Sequence, residues 1–243
     1  MREHVRDFVA AAAERFPTRG AIYEFGSYQV EEQGAGADLR TLFPDRPYVG
    51  CDMRPGPGVD RVEDISRLTL DNDSAAMIIC VETLEHVFET RRAVDEMVRV
   101  LAPGGMVLIS MPFHFRIHGY PDDYWRITPS CLTRLLEPLA ATIIGSQGPE
   151  ATPNTVYGVG FKAPAPAAFV ADAARFVEGF QARLDERRTL APHKRARRAW
   201  RWLFSTKAER RRLSKYYEAR FAICGASIGA AASARRQALG ALT

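Results

Sequence analysis

Between residues 112 and 126 the chain reads Pro-Phe-His-Phe-Arg-Ile-His-Gly-Tyr-Pro-Asp-Asp-Tyr-Trp-Arg, which packs two histidines, two aspartates, two arginines and five aromatics into fifteen residues. Core packing asks for none of that polarity. A stretch so loaded, directly after the apolar run Met106–Met111, is where a substrate pocket is built. His118 and Asp122 are candidate proton acceptors, because an imidazole or carboxylate within reach of a hydroxyl can take its proton as the oxygen attacks. His114, Tyr124, Trp125 and Arg126 are candidate substrate contacts, the indole face suiting a sugar ring and the guanidinium serving as an anchor. Packing of Tyr124 and Trp125 onto the scaffold is the competing reading.

A second set of residues stands at the ends of apolar runs. Glu24-Phe25-Gly26-Ser27 closes the run Ala21–Phe25, and Asp52, 26 residues beyond Gly26, closes Tyr48–Asp52. A glycine lets backbone approach a cofactor, and a carboxylate ending the second strand can accept both hydroxyls of a ribose. Asp64-Ile65 and Glu82 end two further runs. His86, four residues after Glu82, shares its face on a helical turn. Taken singly, Gly26 also reads as a plain turn, Asp52 as a solvated loop acid, and His86 as a helix-start histidine satisfied by a carbonyl.

A scaffold must gather residues 24 to 126, and the hydrophobic pattern specifies one. Val5–Phe16 reads as an amphipathic helix ended by Pro17. The runs Ala21–Phe25, Tyr48–Asp52, Val59–Val62, Ala75–Val81, Met106–Met111, Ala141–Gly145 and Thr155–Phe161 read as strands. Helices are expected over 38–43, 90–101 and 129–136, the second stopped by Pro103-Gly104-Gly105. Strands alternating with helices, with unbroken apolar central strands, call for a mostly parallel sheet covered on both faces. The expectation is therefore an α/β, Rossmann-like doubly wound domain. Its last two strands, joined by a loop alone, pair antiparallel at an edge. Ligands in such a sheet bind beyond the carboxyl ends of the strands, where all the residues named above fall.

The ordered set Glu24-x-Gly26, Asp52, Asp64-Ile65, Leu84-Glu85-His86 and Leu101-x-Pro103-Gly104-Gly105 resembles the class I S-adenosylmethionine-dependent methyltransferases, in particular a large bacterial type 11-like group, over about residues 20–161. The resemblance implies S-adenosylmethionine as cofactor. It places Glu24, Gly26 and Ser27 beside the methionine part, Asp52 on the ribose hydroxyls and Met53 against the adenine. Asp64 would accept from the adenine amino group beside Ile65, and Glu82 would lie under the methionyl group. The stretch from His118 to Arg126 is similar to a signature in a subset of that group linked to sugar and cell-surface glycan pathways. The implied reaction is O-methylation of a saccharide or a glycan or glycolipid precursor, with His118, Asp122 and His86 as the catalytic candidates. Methylation of a small metabolite or RNA is an alternative. So is an inactive interaction module that kept the fold, because Ser27 and Tyr28 follow Gly26 where the family has further small residues.

From Ala165 the composition shifts to Ala, Arg and Glu, which divides the expected organisation into a domain of 1–164 and a basic helical extension of 165–243. The extension is read as helices of about 167–189, 193–204 and 206–235. Residues 187–215 hold twelve Lys or Arg against one acid, Glu209, a net +11 that leaves −7 for the rest of a chain whose total is +4. Cations interleaved with Trp200, Trp202 and Phe204 suit an anionic membrane surface, ahead of nucleic acid, for which no recognition motif is visible. No secretory signal or 18-residue uncharged apolar run is present, so a cytoplasmic protein, peripheral at the inner membrane face, is expected. The four cysteines are widely spaced, three of them inside apolar runs, and read as reduced core thiols. No Cys or His cluster announces a metal site.

Overall fold

The computed structural model of the chain describes residues 2–30, 38–119, 122–189 and 206–225. Its elements are α1 (Glu3–Arg15), β1 (Ile22–Phe25), β2 (Tyr48–Asp52), β3 (Arg61–Val62), β4 (Ala75–Val81), α2 (Thr90–Val100), β5 (Leu101–Pro112), α3 (Pro129–Leu135), β6 (Ala141–Gln147), β7 (Thr155–Phe161), α4 (Phe169–Thr189), α5 (Lys207–Ser214) and β8 (Ala219–Gly225). Short 3-10 turns occupy Leu39–Leu42 and Leu84–His86.

One eight-stranded sheet runs in the order β3-β2-β1-β4-β5-β7-β6-β8. The first five strands are mutually parallel, while β7 lies antiparallel between β5 and β6. Strand alternation explains the two cores. Met77, Ile79 and Val81 of β4 face α1 and α4, whereas Ile78 and Cys80 face α2. Apolar residues on both faces make β4 an unbroken hydrophobic run, the pattern of a strand covered on each side.

Three features differ from the sequence reading. Pro103-Gly104-Gly105 lies inside the start of β5 as an irregularity, where the Gly104 amide donates to Lys162 and Ala163 of the strand-end opposite. The β6–β7 pair does not form the edge, because residues 219–225 are not helical: they form β8, antiparallel to β6 over seven residue pairs. The Phe221-Ala222-Ile223 stretch has β-branched and aromatic side chains that serve a strand as well as a helix. Packing also runs across residue 165, since Phe169, Phe176, Phe180 and Leu184 of α4 share one core with Val5 and Phe8 of α1. The expected helix 193–204, with Trp200, Trp202 and Phe204, lies outside the described residues, as do 226–235. Cys51 and Cys80 are buried thiols, but Cys131 and Cys224 are exposed.

Candidate active site

A cavity of about 660 Å³ opens at the carboxyl ends of β1, β2, β4 and β5. Its lining includes Glu24, Gly26, Ser27, Asp52, Met53, Asp64, Ile65 and Glu82, together with His86, His118 and Tyr124. Residues expected on cofactor and on acceptor thus share one space. His114, Asp122, Trp125 and Arg126 do not line it.

At the end of β1, Gly26 has φ +85°, and a Cβ there would stand 2.1 Å from the Thr83 hydroxyl. Only glycine fits both constraints. Ser27 is buried with its hydroxyl unpartnered among the described residues. Glu24 is buried and accepts a 2.6 Å hydrogen bond from the Tyr48 hydroxyl; burial pushes its carboxyl up to about 7 despite that bond. Asp52 ends β2 and accepts from the amides of Arg54 (3.1 Å) and Tyr28 (3.4 Å), which fixes the adjoining loops around it. The Arg54 guanidinium covers the Tyr28 ring at 4.7 Å. Asp64 caps its own turn through Ser66, and Met53 is exposed at the rim.

Glu82 follows β4 with φ +51°, a left-handed conformation uncommon outside glycine. The conformation aims its carboxylate at Arg2, whose Nε donates to Oε1 at 2.6 Å and whose Nη2 makes a second bond to the same oxygen. Arg2 also lies 5.3 Å from the centre of the Phe115 ring. Arg2 was not visible as a site residue in the sequence, because its partner stands 80 positions away.

Beyond Glu82 the chain makes the 3-10 turn of Leu84–His86, in place of the expected helical turn, and still brings His86 and Glu82 into the same cavity. The 122–126 stretch docks onto this turn. The amides of Tyr124 and Trp125 donate to the Glu85 carbonyl at 2.8 and 3.2 Å, and the Trp125 indole donates to the carbonyls of Val87 and Phe88. His86 Nδ1 meets the Asp122 carbonyl at 2.5 Å, and burial lowers the imidazole pKa. His118 Nδ1 lies 3.1 Å from Asp123 Oδ2, an oxygen that also accepts from the His118 amide. Arg126 grips Asp123 through both terminal nitrogens, and this pairing holds the carboxyl well below the usual carboxylate range.

The adjacent aspartates therefore differ from their expected parts. Asp123 orients His118, whereas the Asp122 side chain accepts from the Tyr124 hydroxyl at 2.8 Å. Arg126 is engaged within its own loop, and His114 is exposed outside the cavity. Glu85, not singled out by spacing, is fully buried beside His86 and His118; burial, then the neighbouring Glu82 charge, push its carboxyl up to about 8. Phe88, 67% exposed, packs at 5.4 Å on Tyr124 and at 6.0 Å on Trp125, forming an aromatic ledge at the cavity mouth.

The strand order, the antiparallel β7 and the cavity at the strand ends define a Rossmann-like α/β fold. Residues 42–109 match the family model described as a methyltransferase domain, a span that includes Asp52, Asp64, Glu82 and His86. Over that span the chain is similar to methyltransferase domains. No curated protein matches it in sequence. Among solved structures it is similar to the YcgJ protein of Bacillus subtilis (15% identity, 66% of this chain and 99% of that one, TM-score 0.49). Another is the N-methyltransferase NodS of Bradyrhizobium japonicum in complex with S-adenosylhomocysteine (18% identity, 67% and 87%, TM-score 0.48). A third is phosphoethanolamine N-methyltransferase 2 of Haemonchus contortus with S-adenosylmethionine (13% identity, 64% and 52%, TM-score 0.49).

Proposed function

We propose that this enzyme methylates a hydroxyl of a saccharide, or of a glycan or glycolipid precursor. The observation that carries the reading is the shared cavity, which Gly26 and Asp52 line together with His86 and His118. S-adenosylmethionine supplies an activated methyl group, so the protein's task is to position an oxygen and accept its proton. The residues present suit that cofactor: Gly26 leaves room for close backbone approach, Ser27 offers an unpartnered hydroxyl, and Asp52 presents a carboxylate to a ribose. Glu24, Met53, Asp64, Ile65 and Glu82 complete the cofactor side in this reading, with Arg2 steadying Glu82.

On the acceptor side His118 takes the proton. Asp123 holds its Nδ1 and leaves Nε2, 4.0 Å from Glu85 Oε1, as the free nitrogen, the arrangement in which a carboxylate fixes a histidine's tautomer. His86 is the neighbouring imidazole, and the Phe88–Tyr124–Trp125 ledge offers apolar faces to a sugar ring. The basic segment 187–215 brings the enzyme to an anionic membrane surface where a lipid-linked acceptor would reside.

Calorimetry with S-adenosylhomocysteine tests the cofactor half. The folded protein is expected to bind it, and Asp52→Ala to weaken binding by about 1.5–3 kcal/mol, the range for hydrogen bonds to a charged group. Absence of binding to the folded wild-type chain would leave the interaction module standing. For the acceptor half, labelled S-adenosylmethionine is offered with a panel of saccharides, and a base-stable labelled ether is the expected product. Label appearing on amines alone would overturn O-methylation.

A further inference from the structure

The acceptor side of the cavity holds a donor set that a proton-transfer role leaves unused. Glu85 is fully buried, and neither of its carboxylate oxygens accepts a hydrogen bond from another described residue. Its Oε1 stands 3.9 Å from His86 Nε2 and 4.0 Å from His118 Nε2, and one donor atom from each of the three residues falls within a 4.8 Å sphere of mutual separation. Both histidines are pinned from behind. A backbone carbonyl can only accept, so the Asp122 carbonyl requires a proton on His86 Nδ1. Asp123, clamped by Arg126, accepts likewise from His118 Nδ1. Each imidazole in its neutral form therefore carries its free lone pair on Nε2, toward Glu85. Outer carboxylates or carbonyls that fix the tautomer of inward-facing histidines are the usual surroundings of a metal ligand.

We propose that Glu85, His86 and His118 bind one divalent transition-metal ion of the zinc type. Two imidazoles and one carboxylate are the ligand set of many open catalytic sites, and Zn–N and Zn–O distances of roughly 2.0–2.2 Å need only small side-chain shifts from the separations observed. The buried Glu85 carboxylate, costly to leave without a partner, gains one. All three residues line the cavity, so an acceptor hydroxyl entering it would reach an ion they held. An acceptor hydroxyl bound there becomes more acidic, its proton leaving to water at the cavity mouth. The ion then takes over the lone pair with which His118 would otherwise accept a proton. The role in methylation rests on the function proposed above, but the ion site itself does not.

The test uses tag-free full-length protein stripped with a chelator and titrated with Zn²⁺ alone. It is followed by metal content after gel filtration and by thermal melting. One Zn²⁺ per chain and a raised melting temperature are expected. Co²⁺ in its place should give visible d–d absorption bands of nitrogen and oxygen ligation. Glu85→Gln and His118→Ala should each abolish stoichiometric retention, and Asp123→Asn, behind the site, should weaken it about 10–100-fold. Failure of the folded wild-type protein to retain Zn²⁺, or equal retention in wild type and all three variants, overturns the proposal. S-adenosylhomocysteine binding measured in parallel separates the two readings. Cofactor binding without Zn²⁺ sinks the metal site alone, whereas Zn²⁺ retention without cofactor binding leaves the metal site standing and sinks the methyltransferase reading.

Discussion

Glu24 shows how a single side chain ties the site to the stability of the fold. Its carboxyl is buried near the end of β1, and burial pushes it up from 4.5 to about 7 even though the Tyr48 hydroxyl and the Arg40 charge ease its ionisation. Between those two values the unfolded chain has released the proton and the folded chain keeps it. The unfolded state therefore binds fewer protons, and stability falls as pH rises through that window. The contribution is about 3 kcal/mol, present in full below pH 4.5 and lost above about 7. Urea denaturation at pH 5 and pH 7.5 should show the decline, and Glu24→Gln, which keeps a neutral partner for Tyr48, should flatten it. An identical pH dependence in the two proteins would remove Glu24 as its source. At this scale the sequence disclosed the residues that close apolar runs, such as Gly26, Asp52, Asp64 and Glu82, because strand ends are visible in the hydrophobic pattern. It did not distinguish Asp122 from Asp123, since the loop backbone alone decides which carboxylate faces His118. Nor did it disclose Glu85, whose partners His86 and His118 converge only when the 122–126 stretch docks on the 84–86 turn.

At the scale of elements, the helix α4 is the component whose part in the fold differs most from a composition-based reading. Its residues are rich in Ala and Arg, yet Phe176 and Phe180 are buried on one side of the sheet among Phe8, Tyr157 and Phe221, with Phe180 5.4 Å from Tyr157 and 6.0 Å from Phe221. Arg187 at its end pairs with Glu3 and Asp7 of α1, so this cation of the basic segment is engaged within the fold. Phe180→Ala should cost about 3–5 kcal/mol, as for other buried aromatics. The denaturation midpoint in urea checks it; a loss below 1 kcal/mol would mean that α4 only rests on the domain. β1 to β7 were legible from period and length, with β2, β4 and β7 recovered to the residue. The strand β8 was not. Seven residues of mixed small and apolar character have no intrinsic preference strong enough to announce a strand; the open edge of β6 decides it.

For the whole molecule the relevant quantity is the separation of charge, a net +11 over residues 187–215 against −7 elsewhere. Near an anionic bilayer each Lys or Arg contributes about 1 kcal/mol, less as salt screens it. The full-length protein should therefore sediment with vesicles containing anionic lipid at low salt, be released at high salt, and ignore neutral vesicles. Absence of sedimentation under all three conditions would assign the basic segment to another partner. Among the described residues no helix is long and apolar enough to cross a membrane, so the attachment tested is to the surface.

The position of β8 has a consequence for biosynthesis. The last described strand in the chain hydrogen-bonds along the full length of β6, whose seven residues are all buried in the finished fold. A chain emerging from the ribosome carries β6 and β7 before residues 219–225 arrive to cover the free edge of β6. Until then β6 is an exposed, largely uncharged template for pairing with any neighbouring extended chain. The cost of finishing the sheet from its C-terminal end falls on the nascent chain, and slow or prematurely ended translation is where this protein is most exposed to aggregation.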